Sequence, residues 1–365
     1  MANSILDKVI SSKHEEEITQ FVPQEIVAKI LLSLPSRERD ILTRRFGLHG
    51  QPQATLEEIG GTMQVTRERI RQIERGAMKR IIENPKCVPF LTTIEHIIKE
   101  YLEQAGGLLS EDELLLRMIA GRNQSPEAHR ILSFFLRYLC KDRFQYIPSD
   151  THVREGWALH FFPLDESFKK IILLEQIFSE KRTPINFAEL FKMYNEKNPQ
   201  STMSDVVLRS LLGVSNRIAQ NIFDEWGLAE WVTIRPRRMK DKIYLLLKRH
   251  EKPLHFNDIA RMVNEAHFDQ RVAHPPTVHN ELIKDGRFVL VGRGIYALAE
   301  HGYKPGTARE VIQRILKNSG PLKLDDLVQL VLKERLFKAN TVMLNLQNKK
   351  LFQKLPDGRY HVNQV

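Results

Sequence analysis

Cysteine is nearly absent: Cys87 and Cys140 are the only two in 365 residues, and no Cys-x-x-Cys occurs. That excludes a disulfide framework and a thiolate zinc site, and predicts two buried free thiols in a reducing compartment. No apolar run reaches the length that spans a bilayer, so no membrane partner is expected. The first twenty residues hold Lys8, Lys13, His14 and Glu15 to Glu17 without an apolar core and cleavage site, so no signal peptide is expected. Catalytic signatures are missing as well. There is no P-loop, no Gly-x-Ser-x-Gly, no His-Glu-x-x-His and no nuclease-like Asp followed by Glu-x-Lys. The 13 histidines are scattered. His250 with His255 and His274 with His279 sit five apart, lacking cysteine or carboxylate at ligand spacing. No enzyme activity, metal, cofactor or small-molecule substrate is therefore expected.

What is abundant is positive charge. A net charge of +10 and a pI near 9.5 fit a polyanionic partner. With 42% hydrophobic residues the chain can bury real cores, and its length predicts about two to five domains.

The segment Val65 to Glu74 gives that charge a shape. Thr66 is a good N-cap, because its hydroxyl can accept a first-turn backbone N–H. Ile70, Ile73, Ala77 and Ile81 then recur at helical spacing as one apolar stripe. Arg67, Glu68, Arg71, Gln72 and Arg75 fall on the other side. Arginine, glutamine and glutamate are the residues that pair with guanine, adenine and the cytosine amino group in the major groove. Just before, Thr55-Leu56-Glu57-Glu58 has capping-box spacing. Leu56 and Ile59 supply the buried side of a short first helix, and Gly60-Gly61 can allow close packing or end it. Two short helices joined by a tight turn, the second polar and basic outside, form a helix-turn-helix.

Leu34 to Arg39, Leu42 to Leu48, Thr55 to Gly60 and Val65 to Glu74 together resemble region 4 of the sigma-70 family of bacterial sigma factors, from about Gln24 to Ile82 and nearly gap-free. The resemblance implies a helix that reads the upstream promoter hexamer (the −35 element). Arg67, Glu68 and Gln72 match the family's base-reading positions. Thr55, Thr66, Arg69, Arg71 and Arg75 would contact phosphates, which position without specifying. It implies double-stranded promoter-like DNA and the RNA polymerase core as partners, and a bacterial, cytoplasmic, nucleoid-associated protein. One position departs: Met63-Gln64 occupies the turn where the family favours Gly, Asp or Asn, and glutamine tolerates a left-handed conformation less well. Complete sigma factors also carry an aromatic-rich region that captures and melts the −10 segment, a task that needs bases stacked on aromatic faces. Tryptophan and tyrosine are missing before Tyr101, so a self-sufficient sigma factor is not expected.

After about residue 88 the chain repeats with a period of roughly 65–70 residues. The landmark is a short aromatic strand: Gly156 to Leu159, Trp226 to Ala229, Gly294 to Leu298 and Gly358 to Val362. Three helical segments precede each strand. The third copy is clearest. Ile243, Leu246 and Leu247 mark one helix, Phe256, Ile259, Met262 and Val263 a second, and Pro275 to Ile283 a third. Arg287 to Val291, a Gly292-Arg293-Gly294 turn and Ile295 to Leu298 read as a hairpin. Three helices and a hairpin make a winged helix. Copy one should have an irregular wing near Gln145 to Glu155. In copy two, Gly213 to Asp224 reads as helix or loop and not as a clean wing strand. Trp157, Trp226, Trp231 and Tyr296 read as core and wing anchors.

The pattern Pro-x-Thr-Val-x-x-x-Leu-x-x-Asp-x-Arg-Phe, continuing to Tyr296 and Leu298, resembles the HARE-HTH winged helices, a family that includes the folded half of the RNA polymerase delta subunit. Arg235, Arg237, Arg238, Lys240 and Lys242 form a basic cluster between copies two and three. Arg237, Arg238 and Lys240, with Lys284 and Arg293, are candidates for secondary DNA contacts.

The expectation is a mainly α chain. It comprises an extension over 1–23, the helix-turn-helix over 24–87, and winged-helix modules over 88–165, 166–238, 239–305 and 306–365. Linkers are expected near 88, 165, 238 and 305. The expected function is sequence-specific DNA binding that regulates or assists transcription initiation, the alternative being a polymerase accessory subunit acting through protein contacts.

Overall fold

The computed structural model describes residues 21–120, 125–303, 306–334 and 338–363. The expected extension up to residue 20 and the expected linker residues Lys304 and Pro305 lie outside them. The chain is mainly helical, with small antiparallel sheets. It divides into two compact units: the described residues up to Ala219 with Trp226–Ala229, and Gln220–Glu225 with Glu230 onward.

The first unit opens with α1 (Pro23–Leu32), α2 (Ser36–Phe46), α3 (Leu56–Met63) and α4 (Arg67–Glu83). Next comes α5 (Val88–Gln104), then β1 (Leu108–Ser110), α6 (Glu111–Ile119), α7 (Pro126–Phe134), β2 (Phe144–Ile147) and β3 (Gly156–Leu159). The same order recurs in α8 (Leu164–Lys181), β4 (Ile185–Asn186), α9 (Phe187–Lys197), α10 (Asp205–Val214), β5 (Ile218–Gln220) and β6 (Glu225–Leu228). It returns in α11 (Met239–His250), β7 (Leu254–His255), α12 (Phe256–Glu265), α13 (Pro275–Lys284), β8 (Phe288–Gly292) and β9 (Ile295–Leu298). The last copy is α14 (Ala308–Ser319), α15 (Leu324–Glu334), α16 (Ala339–Leu346), β10 (Phe352–Lys354) and β11 (Tyr360–Val362).

The periodic aromatic strand is the central strand of each of the first three sheets, whose orders are β1-β3-β2, β4-β6-β5 and β7-β9-β8. A short strand after the first helix therefore joins each hairpin, which the sequence pattern did not predict. Two or three residues carry too little alternation to register as a strand. In the fourth copy its place is taken by a single bridge between Leu322 and Tyr360. The second copy needs a correction too: Ile218–Gln220 is a strand, not loop or helix. Its partner β6 supplies the hydrogen bonds that a three-residue run cannot advertise.

No linker opens near residue 88. Asn84 accepts the Cys87 N–H at 2.8 Å, and α5 begins at once with Pro89 in its first turn, where a missing N–H costs nothing. Leu42 and Phe46 of α2, Ile81 of α4, Ile94 and Ile98 of α5 and Phe134 of α7 belong to one continuous core. Phe46 packs on Phe134 and Tyr138, ring centroids 4.8 and 4.6 Å away. The Arg130 Nε–H donates to the Gly47 carbonyl at 2.9 Å, and the Gly50 N–H donates to Glu127 at 3.0 Å. The helix-turn-helix segment and the first repeat are thus welded, and α7 is spent on the weld.

The second repeat is joined to the first in the same way. Ser210 of α10 donates to the Ala105 carbonyl, and the Arg154 N–H donates to Val214 at 2.8 Å. Buried Glu175 accepts from Arg217 at 3.1 Å and lies 3.0 Å from His152 Nδ1. In the second unit Ile243, Ile259, Val278, Phe288 and Tyr296 fill the third repeat, and Ile312, Leu327, Val342 and Phe352 the fourth, as two separate cores.

Candidate nucleic-acid interface

The site is built from α3, the turn after it and α4. Thr55 and Glu58 close a reciprocal capping box. The Thr55 hydroxyl accepts the Glu58 N–H at 3.2 Å, and the Glu58 carboxylate accepts the Thr55 N–H at 2.7 Å. That backbone N–H, with the Thr55 hydroxyl, holds the Glu58 carboxyl below its usual range. The turn is left-handed at Gln64, φ 54° and ψ 40°, and the Gln64 N–H returns to the end of α3. The Val65 N–H donates to the Gly60 carbonyl at 2.9 Å. A Cβ on Gly60 would stand 2.7 Å from the Val65 oxygen, while one on Gly61 would meet nothing. Gly60 is therefore the close-packing glycine, and α3 runs on past both to Met63.

Thr66 caps α4, accepting the Arg69 N–H at 3.2 Å. Ile70 is fully buried with Ile41 and Ile59, which ties α4 to α2 and α3. Ala77 and Ile81 enter the larger core. Arg80 pairs with Glu38 at 2.9 Å, and Arg45 lies 3.6 Å from Glu74. Burial raises the Glu74 carboxyl despite Arg45 beside it. The helix axis is thus held from its buried side by packing and from its flanks by charge.

Arg67, Glu68, Arg69, Gln72 and Arg75 are exposed, and Arg71 is half-buried. Arg71 grips Glu68 through both carboxylate oxygens at 2.7 and 2.5 Å, and its hydrogen bonds hold that carboxyl below its usual range. Arg69 donates to the Gln72 amide oxygen at 3.2 Å. Two of the three residues expected to read bases therefore rest on two expected to touch phosphate. Exposed pairs of this kind contribute little, so they can be exchanged for a ligand at small cost.

Residues 30–82 match the family described as Sigma-70, region 4. Among curated proteins, the RNA polymerase sigma factor SigA of a Nostoc species is 46% identical over 67 residues, 18% of this chain and 17% of the relative. SigA of Microcystis aeruginosa and SigA of a Synechocystis species are each 45% identical over the same length, 16% of each relative. The chain spans about one sixth of the length of these relatives. The matched segment contains Thr55, Thr66 and the whole outer side of α4 discussed above.

The secondary candidates lie in the second unit. Arg238, Lys240 and Lys284 line one cleft of about 620 Å³ with Glu281 and Asp285. Lys240 is 3.4 Å from Asp285, so part of its charge is already answered. Arg287 hydrogen-bonds Asp285 at 2.9 and 3.0 Å and, despite partial burial, holds that carboxyl down to about 2. Arg237 is exposed outside that cleft, and Arg293 is exposed at the tip of the β8–β9 hairpin.

Of the histidines singled out for spacing, His250 and His274 are exposed, while His255 and His279 have local partners. His255 caps α12, accepting the Asn257 N–H at 3.3 Å. His279 lies 4.7 Å from the Phe256 ring and 5.8 Å from Tyr296. Trp157 is buried and donates to Glu111 at 3.0 Å, and Arg137 reaches the same carboxylate at 2.9 Å. That cluster carries no spacing signal, because Arg137 and Trp157 stand 26 and 46 residues from Glu111. Among the described residues no helix is long and apolar enough to cross a membrane, and no group of three His, Cys, Asp or Glu gathers.

Proposed function

We propose that the chain is a sequence-specific DNA-binding transcription factor that reads −35-like promoter DNA with α4 and regulates or assists initiation. The observation that carries this reading is the outer side of α4: Arg67, Glu68 and Gln72 stand exposed on a helix fixed by Thr66, Ile70 and Ile81. Those side chains can reach base edges, and the surrounding arginines supply phosphate contacts. The match to Sigma-70, region 4 covers this surface. Region 4 is also the ground for proposing polymerase core as a second partner. The repeats are proposed to be winged-helix modules of HARE-HTH type, on the recurrent order of three helices, hairpin and an added short strand. Promoter melting is assigned to another factor, and no enzymatic step is assigned to this chain. A bacterial, nucleoid-associated location follows from the same reading.

The test is selection of bound duplexes from a random pool, with wild-type protein and with Arg67→Ala, Glu68→Ala and Gln72→Ala. A −35-like motif that degrades at separate positions in the three variants supports the reading. No recovered motif, or one indifferent to all three changes, sinks it. Purified core polymerase supplied with this chain as its only factor should leave thymines of a −10 segment unreactive to permanganate.

A further inference from the structure

The third helix of the fourth repeat has a chemistry unlike that of α4. Along α16 and at its C-terminal cap, Asn340, Met343, Leu344 and Gln347 are exposed. They are spaced i, i+3, i+4 and i+7 and so form one face. Leu344 is 65% exposed. No charged residue occurs between Ala339 and Leu346. The opposite residues Val342 and Leu346 fill the core. Beside the exposed face lies a groove of about 770 Å³, lined by Met343, Gln347, Lys349, Lys354, Phe352 and Leu324, among others. Its charged lining residues are lysines, with no carboxylate among them. Lys350 is exposed next to Lys349. Among the described residues no carboxylate pairs with Lys349 or Lys350.

We infer that the groove between α16 and the β10–β11 hairpin is a docking site for a helical protein segment that is apolar on one face and acidic on its flank. Apolar anchors of such a segment, spaced by three and four residues, would sit against Met343 and Phe352 in the groove and against Leu344 on the exposed face beside it. Its carboxylates would meet Lys349, Lys350 and Lys354. Charge complementarity commits the occupant to an acidic partner. The bare face decides between two anionic classes. A phosphate-tracking surface is built from lysine, arginine and hydrogen-bonding side chains, and the two exposed amides here, Asn340 and Gln347, stand at opposite ends of the face with no arginine between Ala339 and Leu346. Met343 and Leu344 in the middle of the face favour a protein.

The test uses the full chain and a displayed library of random helical peptides. Clones retained by wild-type protein are counter-selected on Leu344→Asp and on Lys349→Glu, with Leu332→Asp, an exposed leucine on α15, as the control. Circular dichroism and thermal melting confirm that each variant folds. Expected are clones with Asp or Glu beside apolar residues at i, i+3 or i+4 and i+7, whose affinity falls about tenfold or more on both Leu344→Asp and Lys349→Glu and stays on the control. An uncharged or basic consensus, or clones indifferent to Leu344, overturns the inference. So does a fluorescent random-sequence duplex that loses binding on Leu344→Asp, which would make the face a nucleic-acid surface.

Discussion

Helices α4 and α16 occupy comparable places in their folds. Each buries aliphatics against two other helices and leaves the opposite face in solvent. On α4 that face holds four arginines, a glutamate and a glutamine. On α16 it holds two amides, a methionine and a leucine. Architecture thus decides that a helix is presented, and side chains decide to what. Helix α7 is the third case: as the third helix of its repeat it faces α1 and α2, and Pro126 is its one exposed residue. The outer helix of the helix-turn-helix segment thus supplies a proposed reader of DNA, and the third helices of two repeats supply a proposed protein dock and a weld.

The largest expected effect separates α4 from α16 by ligand. Arg67→Ala or Gln72→Ala should weaken binding to the preferred duplex on the order of ten- to a hundredfold and leave random duplex nearly unchanged. Leu344→Asp should change neither. Competition titrations at fixed salt measure both, and equal losses on the two duplexes would erase the distinction.

Gly60→Ala sharpens the comparison by changing how α4 is aimed without touching its outer face. The added methyl group would be driven into the Val65 carbonyl, for a loss of about 1–3 kcal/mol. The first thermal transition should fall, and the motif should blur. An unchanged melting curve would mean that the turn relaxes freely.

Helix α13 gives an intermediate case, since it ends at Asp285 beside Arg287. The Asp285 carboxyl is held at about 2 against an ordinary 3.8. Its folded-state value is depressed, so its stabilisation is complete above about pH 4 and fades as pH falls through 2, for up to about 2 kcal/mol. Amide exchange of α13 and β8 should quicken over that window. With Asp285→Asn the acid-dependent part should vanish.

The smallest effect is a gain. Gln64 sits in the left-handed region where glycine or asparagine is at ease. Gln64→Gly should stabilise the first unit by about 0.5–1 kcal/mol in denaturant melts while leaving the selected motif intact. A shifted motif would show that the Gln64 side chain helps to set the pose of α4.

Helix α4 was legible because its signals are local. A cap, an apolar stripe and a polar face all lie within seventeen consecutive residues. The hairpin of the third repeat was legible for the same reason, since turn residues punctuate its strands. The strand at Ile218–Gln220 was not, because it exists through its pairing with β6. The short strands β1, β4 and β7 escaped in the same way.

By itself, the sequence determined the helical class, the cap and outer chemistry of α4, and the fourfold recurrence, all properties of periodicity and residue type over a few turns. Only the tertiary structure decided that Phe46 and Phe134 share a core and that no joint opens at residue 88. It also decided that Arg71 holds Glu68 and that Leu344 stays uncovered while α7 is buried. Those outcomes depend on which surfaces meet across dozens of residues of chain. An amphipathic pattern states that a face will be buried, and only its neighbours in space settle against what.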